Sequence, residues 1–252
     1  LAELEENILD DDSPKKEVEM TFLDHLEELR WRIIYTVLGI LIGTVIAWIF
    51  IDFLVDKILL LPARTANFKL QNLRPFGQLF LYFQVAIMLG LIISFPNVVY
   101  QLWRFIAPAL KSKEKKYIKW IVMFTTICFM CGVVFAYYIM LPLTLKFAAG
   151  FGSTAIQNNF SVDEYLSIVL NIILGAGLIF ELPMLSFFLS IIGLLTPKLM
   201  RKYRRHAIVV IMILAAFLSP GADPVSQVLL AVPLVLLYEI SIFVSKIFQK
   251  KS

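Results

Sequence analysis

The chain has 252 residues, of which 60% are hydrophobic and only 17% charged, with a formal net charge of +4. One soluble core cannot hide that much apolar surface, so a water-soluble fold is excluded and an all-α, polytopic membrane protein is expected. The modest positive charge then says less about nucleic acid than about which side of a membrane the basic residues occupy.

Residues 1–19 are acidic and show no periodicity, as expected of a disordered tail that cannot support a core. No short apolar segment precedes an A-x-A site, so no cleavable signal is expected, and Leu1 suggests a trimmed start. From Thr21 the pattern changes. Thr21 and Asp24 form a capping box, and Phe22, Leu26, Leu29 and Ile33 recur at helical spacing, predicting an amphipathic helix that carries D-H-L-E-E-L-R over residues 24–30. It leads into a first span at about 31–53, which puts Glu27 and Glu28 at the membrane surface.

Residues 52–78 contain Pro62, Asn67, Asn72, Pro75 and Gly77 and read as a folded polar loop. A second span is predicted at 79–101, with Pro96 in its last turns, followed by an aromatic belt with Trp103 and Phe105 and a dense basic run, K-S-K-E-K-K. The third span, 119–142, is uncharged in its interior and ends at Pro142; Cys128 and Cys131 within it read as packing residues rather than a redox pair or metal ligands. Ser161 is a plausible cap for a fourth span at 163–195.

That fourth run is interrupted by Phe180, Glu181, Leu182 and Pro183. Pro183 removes a backbone donor and predicts a kink. A carboxylate at mid-membrane costs roughly 2.5 to 3.5 kcal/mol even on lenient insertion scales, so Glu181 is expected to face protein or water. It is then either an acid satisfied by a neighbouring helix or a functional group. Two further spans, 204–218 and 227–246, are short, with S-P-G-A-D-P-V-S-Q between them at a depth that protein, water or a thinned bilayer must shield. A single six-helix domain over 20–248, concave and lopsided, with a basic tail at 249–252, is the expected organisation.

Basic residues fix the orientation. Lys111, Lys113, Lys115, Lys116, Lys198, Arg201, Lys202, Arg204, Arg205 and those at 246–251 fall on the side of both termini, whereas the other side holds Lys57, Arg64, Lys69, Arg74 and Lys146. Both termini are therefore expected in the cytoplasm.

Taken together, D-H-L-E-E-L-R, S-F-P-N-V-V-Y-Q-L-W-R-F-I-A-P-A-L, F-E-L-P and S-P-G-A-D-P-V-S-Q, in this order from about Thr21 to Lys246, resemble the TatC family. That family is the multispanning receptor of the twin-arginine translocase, which exports folded proteins across the bacterial inner membrane or the thylakoid membrane, driven by the proton-motive force. The resemblance implies binding of Arg-Arg signal peptides, recruitment of single-span TatA/TatB-type subunits, self-association, and no cofactor, metal or catalytic residue. Glu28 and Glu114 map onto the acids that receive the arginines, with His25, Arg30 and Phe105 beside them. Glu181, with Tyr137 and Gln227 as neighbours, maps onto a polar contact for a partner's helix. Asp223 is the equivalent of the external-turn acid, although G-A-D-P departs from the shorter turn of many relatives. Some relatives carry glutamine at the Glu181 position, which favours hydrogen bonding over charge as its role.

Read without the resemblance, these residues have plainer roles. Glu28 is an i,i+4 partner for Arg32, worth a few tenths of a kcal/mol. Glu114 favours the first turn of a helix capped by Ser112, where Lys111, Lys113, Lys115 and Lys116 hold it ionised. His25 is a structural residue of the helix start, and His206 a surface one. A proton-coupled secondary transporter using Glu181, with Glu239 as second site, is the rival reading; the chain shows no internal repeat to support it. No Ser/His, paired Asp or H-E-x-x-H arrangement suggests an enzyme.

Overall fold

In a bilayer every backbone donor and acceptor must be satisfied within the protein, so apolar runs of this length fold as helices. The structure, a computed structural model, describes residues 22–66, 69–107, 118–150, 160–191, 193, 195–218 and 224–249. The acidic tail 1–19, Thr21, Glu114 and Asp223 lie outside the described residues.

The amphipathic segment and first span form one helix, α1 (Phe22–Ile49), about 42 Å long at 1.5 Å per residue. Beyond it the chain departs from the expected polar loop. Residues 51–65 stay helical through α2 (Ile51–Phe53), a π-helical turn (Leu54–Leu59) and α3 (Leu61–Thr65). The physical reason is a spacing of four: Ile51, Val55, Leu59 and Ala63 are all buried along one face. A short strand, β1 (Leu70–Gln71), leads to α4 (Gly77–Ile106), which contains Pro96 and runs ten residues beyond it.

The third span also differs from expectation, because it does not end at Pro142. Helix α5 (Ile118–Phe135) passes through a π-helical turn (Ala136–Met140) into α6 (Leu141–Gly150). Pro142 lies in the first turn of α6, where a missing N–H is tolerated. The fourth run breaks as Pro183 predicts, into α7 (Val162–Ile179) and α8 (Leu182–Ile191), and the N–H of Glu181 bonds three residues back, to Leu178 O at 3.1 Å. Ser161 holds the N-cap position with extended backbone, but its side chain makes no capping bond. It belongs instead to β2 (Phe160–Ser161), which pairs parallel with β1 and ties together two connections far apart in sequence.

Thr196 caps α9 (Pro197–Lys202) by accepting from the Leu199 N–H at 3.2 Å. Helix α10 (Arg204–Leu218) has 15 residues, about 22 Å against a bilayer core of about 30 Å. Helix α11 (Pro224–Gln249) is longer than expected at 26 residues, yet its apolar stretch, Leu230–Phe243, is short as well. Four other stretches, Leu23–Ile49, Gly77–Ile106, Ile118–Ala148 and Val162–Ser190, are long and apolar enough to cross a membrane.

Lipid offers no hydrophobic drive between helices, so close packing and buried polar bonds must join them. At the α5–α7 contact, a Cβ on Gly132 would come within 2.8 Å of the Ala176 carbonyl, so the two backbones nearly touch. Between α8 and α11 the seam is serine: Ser186, Ser190, Ser241 and Ser245 are buried, and the Ser190 and Ser245 hydroxyls meet at 2.6 Å.

Candidate functional site

Small residues set the geometry. Gly39, Gly43 and Ala47 repeat every four residues on α1, and a Cβ at Gly43 would lie 2.5 Å from the Gly90 carbonyl of α4. The two helices therefore cross with backbones in contact and run antiparallel. From that crossing toward the start of α1, polar groups bridge the pair. Asn97 Nδ2 donates to Tyr35 O at 3.2 Å, Gln101 Nε2 to Asn97 Oδ1 at 3.4 Å, and Arg32 Nη1 to Gln101 Oε1 at 3.4 Å. Arg32 Nη2 then reaches Glu28 Oε1 at 2.8 Å, and the His25 ring stacks on Phe105 at 4.4 Å between centroids.

Three of the expected residues, Glu28, His25 and Phe105, are thus brought to one end of the α1–α4 pair. Arg30 is not part of the groove there: it is exposed, with its guanidinium 5.8 Å from the Trp31 ring centroid. The groove itself, of about 560 Å³, is lined by Glu28, Trp31, Arg32, Tyr35, Gln101 and Arg104. Arg104 is engaged by Tyr100, donating to its hydroxyl at 3.0 Å.

The ion pair between Glu28 and Arg32 is the plainer reading of Glu28, and the structure contains it, with both side chains 17% exposed. It does not consume the acid. Glu28 Oε2 and Arg32 Nε are shielded from solvent and have no hydrogen-bond partner among the described residues. A guanidinium often meets a carboxylate through two parallel bonds; this end-on contact leaves one oxygen of the acid and the Nε of the arginine idle, while Arg32 Nη1 reaches Gln101.

Sequence reasoning did not assign the groove-lining Tyr35, Gln101 and Arg104 to the site. The signal that points to Tyr35 is the Gly39, Gly43, Ala47 spacing, which marks the docking face of α1 and hence the residue one turn before it. Trp103, expected as a membrane-interface anchor, is buried and packs edge-on against Phe188 at 4.4 Å.

Glu181 occupies the break between α7 and α8, beside Cys128 and Phe129 of α5, and its Oε1 is buried with no hydrogen-bond partner among the described residues. Its two expected neighbours bond elsewhere: the Tyr137 hydroxyl donates to Ile58 O at 2.8 Å, and Gln227 Nε2 to Met212 O at 2.9 Å. Next to the break, an apolar groove of about 560 Å³ lies along α5, with Met130, Cys131, Val134, Phe135 and Tyr138 in its wall and Phe180 at its edge. Glu239, the second site of the transporter reading, is paired with Arg204 at 2.7 Å at the basic end of α10. Among the described residues no cluster of His, Cys, Asp or Glu could hold a metal ion.

A family model described as Sec-independent protein translocase protein (TatC) matches residues 24–233. The Sec-independent protein translocase protein TatC of Aquifex aeolicus is 39% identical over 236 residues, covering 92% of this chain and 97% of that protein. Its counterpart from Carboxydothermus hydrogenoformans is 36% identical over 232 residues, covering 92% and 95%. A crystal structure of the twin arginine translocase receptor TatC superposes with a TM-score of 0.78 at 40% identity, covering 88% of this chain and 98% of that one.

Proposed function

The chain belongs to the TatC family of Sec-independent protein translocase components, and from that premise we propose that the α1–α4 groove receives the paired arginines of a signal peptide through Glu28 and Glu114. The observation that carries this is the Glu28 carboxylate, held at a groove between two helices with one oxygen shielded and unpartnered. Such a group gains most from a planar donor that offers two N–H bonds at once, which is what arginine supplies and lysine does not. His25 and Phe105 stack on each other at the same end of the α1–α4 pair, and Arg30 lies exposed on α1 beside it. Glu114 belongs to the basic run that follows α4 in sequence, whose lysines repel stray cations.

In this reading both termini and the groove face the cytoplasm of a bacterial inner membrane, six spans cross it, and folded cargo passes under the proton-motive force. Single-span TatA/TatB-type subunits dock along α5 near Glu181, and Asp223, in the turn between the last two spans in sequence, contributes to the same partner contact. An unpartnered carboxylate oxygen beside an apolar groove is one of the few places in hydrocarbon where a partner helix finds a hydrogen bond.

Crosslinking to otherwise identical Arg-Arg and Lys-Lys peptides tests the receptor role. Glu28→Gln or Glu114→Gln is expected to weaken the Arg-Arg crosslink about tenfold or more, as loss of a charge-assisted pair does, with folding intact; equal labelling by both peptides in the unmutated protein would reject it. For the partner site, Glu181→Ala is expected to lower co-purification of a single-span subunit while Glu181→Gln preserves it. An undiminished yield with Ala removes Glu181 from that contact.

A further inference from the structure

We propose that Arg32 is an internal stand-in for the visiting arginine, holding the Glu28 carboxylate until a better-fitting guanidinium displaces it, and so helps to set the preference for arginine over lysine. This rests on the reading of Glu28 as the arginine receptor.

The geometry of the pair carries the inference. Both side chains rise from one helix four residues apart, and they meet through one contact only, Nη2 to Oε1 at 2.8 Å. Nε and Oε2, the atoms that a second parallel bond would use, are shielded and unpartnered. A guanidinium arriving through the groove carries no such tether and can take both oxygens. Arg32 has a second seat ready: its Nη1 lies 3.4 Å from Gln101 Oε1, a long bond that shortens if the side chain swings away from Glu28.

Exchange on these terms discriminates between visitors. Replacing one end-on contact by two parallel ones favours an incoming arginine. A lysine ammonium is a compact, strongly hydrated point charge that makes no fork and loses more water on entering. With Arg32 present, lysine must evict a cation without gaining a bond. Charge adds to the barrier, since two guanidiniums, Arg32 and Arg104, line the groove against the single carboxylate of Glu28. Removing Arg32 opens the carboxylate to either cation, so lysine gains more than arginine.

The test uses the full chain in lipid nanodiscs with fluorescent Arg-Arg and Lys-Lys peptides that differ nowhere else. Arg32→Gln is expected to tighten Lys-Lys binding about tenfold, or about 1.4 kcal/mol, and Arg-Arg binding less, so that the preference narrows. Arg32→Lys keeps a cation and the fold while offering a poorer competitor, and is expected to fall between. A parallel loss of affinity for both peptides with an unchanged ratio, in either variant, would show that Arg32 only orients Glu28 and overturns the proposal. If Glu28→Gln leaves Arg-Arg binding as it was, the receptor reading fails first. If Glu28→Gln abolishes the preference and the Arg32 variants leave it untouched, only the stand-in role falls.

Discussion

Two tyrosines show how a single hydroxyl can hold an irregular backbone in place. Pro62 has no N–H, so the Ile58 carbonyl four residues before it lacks its helical donor, and the Tyr137 hydroxyl supplies one at 2.8 Å. Tyr165, buried at the start of α7, donates to the next carbonyl, Leu59 O, at 2.7 Å. Each phenylalanine substitution leaves a carbonyl short of a bond and is expected to cost about 1 kcal/mol, read as a lower thermal midpoint in detergent, with the double variant additive or worse. The placement of Tyr137 was not legible in the chain, because its partner lies 79 residues away in a segment that reads as loop. The Glu28–Arg32 pair was legible, since a spacing of four on a helix brings such groups together whatever the fold. What sequence could not show is that the pair would meet end-on, with Glu28 Oε2 and Arg32 Nε idle.

At the scale of the element, the α1–α4 crossing decides whether the Glu28 groove exists. A Cβ on Gly90 would come 2.5 Å from the Thr44 nitrogen, a backbone atom that cannot yield without moving the helix. Gly90→Ala is therefore expected to cost about 1 to 3 kcal/mol and, by parting the helices, to weaken Arg-Arg crosslinking even though it lies far from Glu28. A variant with a normal melting point and normal crosslinking would mean that the crossing tolerates separation. Helix breaks were legible where proline meets a long apolar run, as at Pro183, and misleading at Pro142, where a π-helical turn keeps the helix going. The helical stretch after α1 was hidden by its prolines and polar residues. Its four-residue apolar spacing was visible in the chain all the same.

At the scale of the molecule, the order of the long spans follows from hydropathy alone, and the brevity of α10 from counting residues. On the six-span reading, a helix of about 22 Å in a core of about 30 Å leaves a mismatch that the bilayer, the flanking residues or the neighbours must absorb, at fractions of a kcal/mol per Å. Reconstitution in lipids of increasing acyl length is expected to lower thermal stability steadily, and a flat response would show that protein rather than lipid surrounds that end. The serine seam joining α8 to α11 and the β1–β2 pairing were beyond sequence reasoning, since each depends on segments that come together only after the spans have packed.

That strand pairing has company. The connection between α1 and α4 is sewn to the segment before α7 by β1 and β2, and is bolted twice more by the tyrosines of α5's extension and α7. Three fasteners gather on that rim, against a single tyrosine bolt between α9 and α11, where the Tyr238 hydroxyl donates to Met200 O at 2.8 Å, so the molecule resembles a fan pinned more firmly at its base. Any spreading of the helices would then begin at the less stitched end and dwindle toward the pinned one.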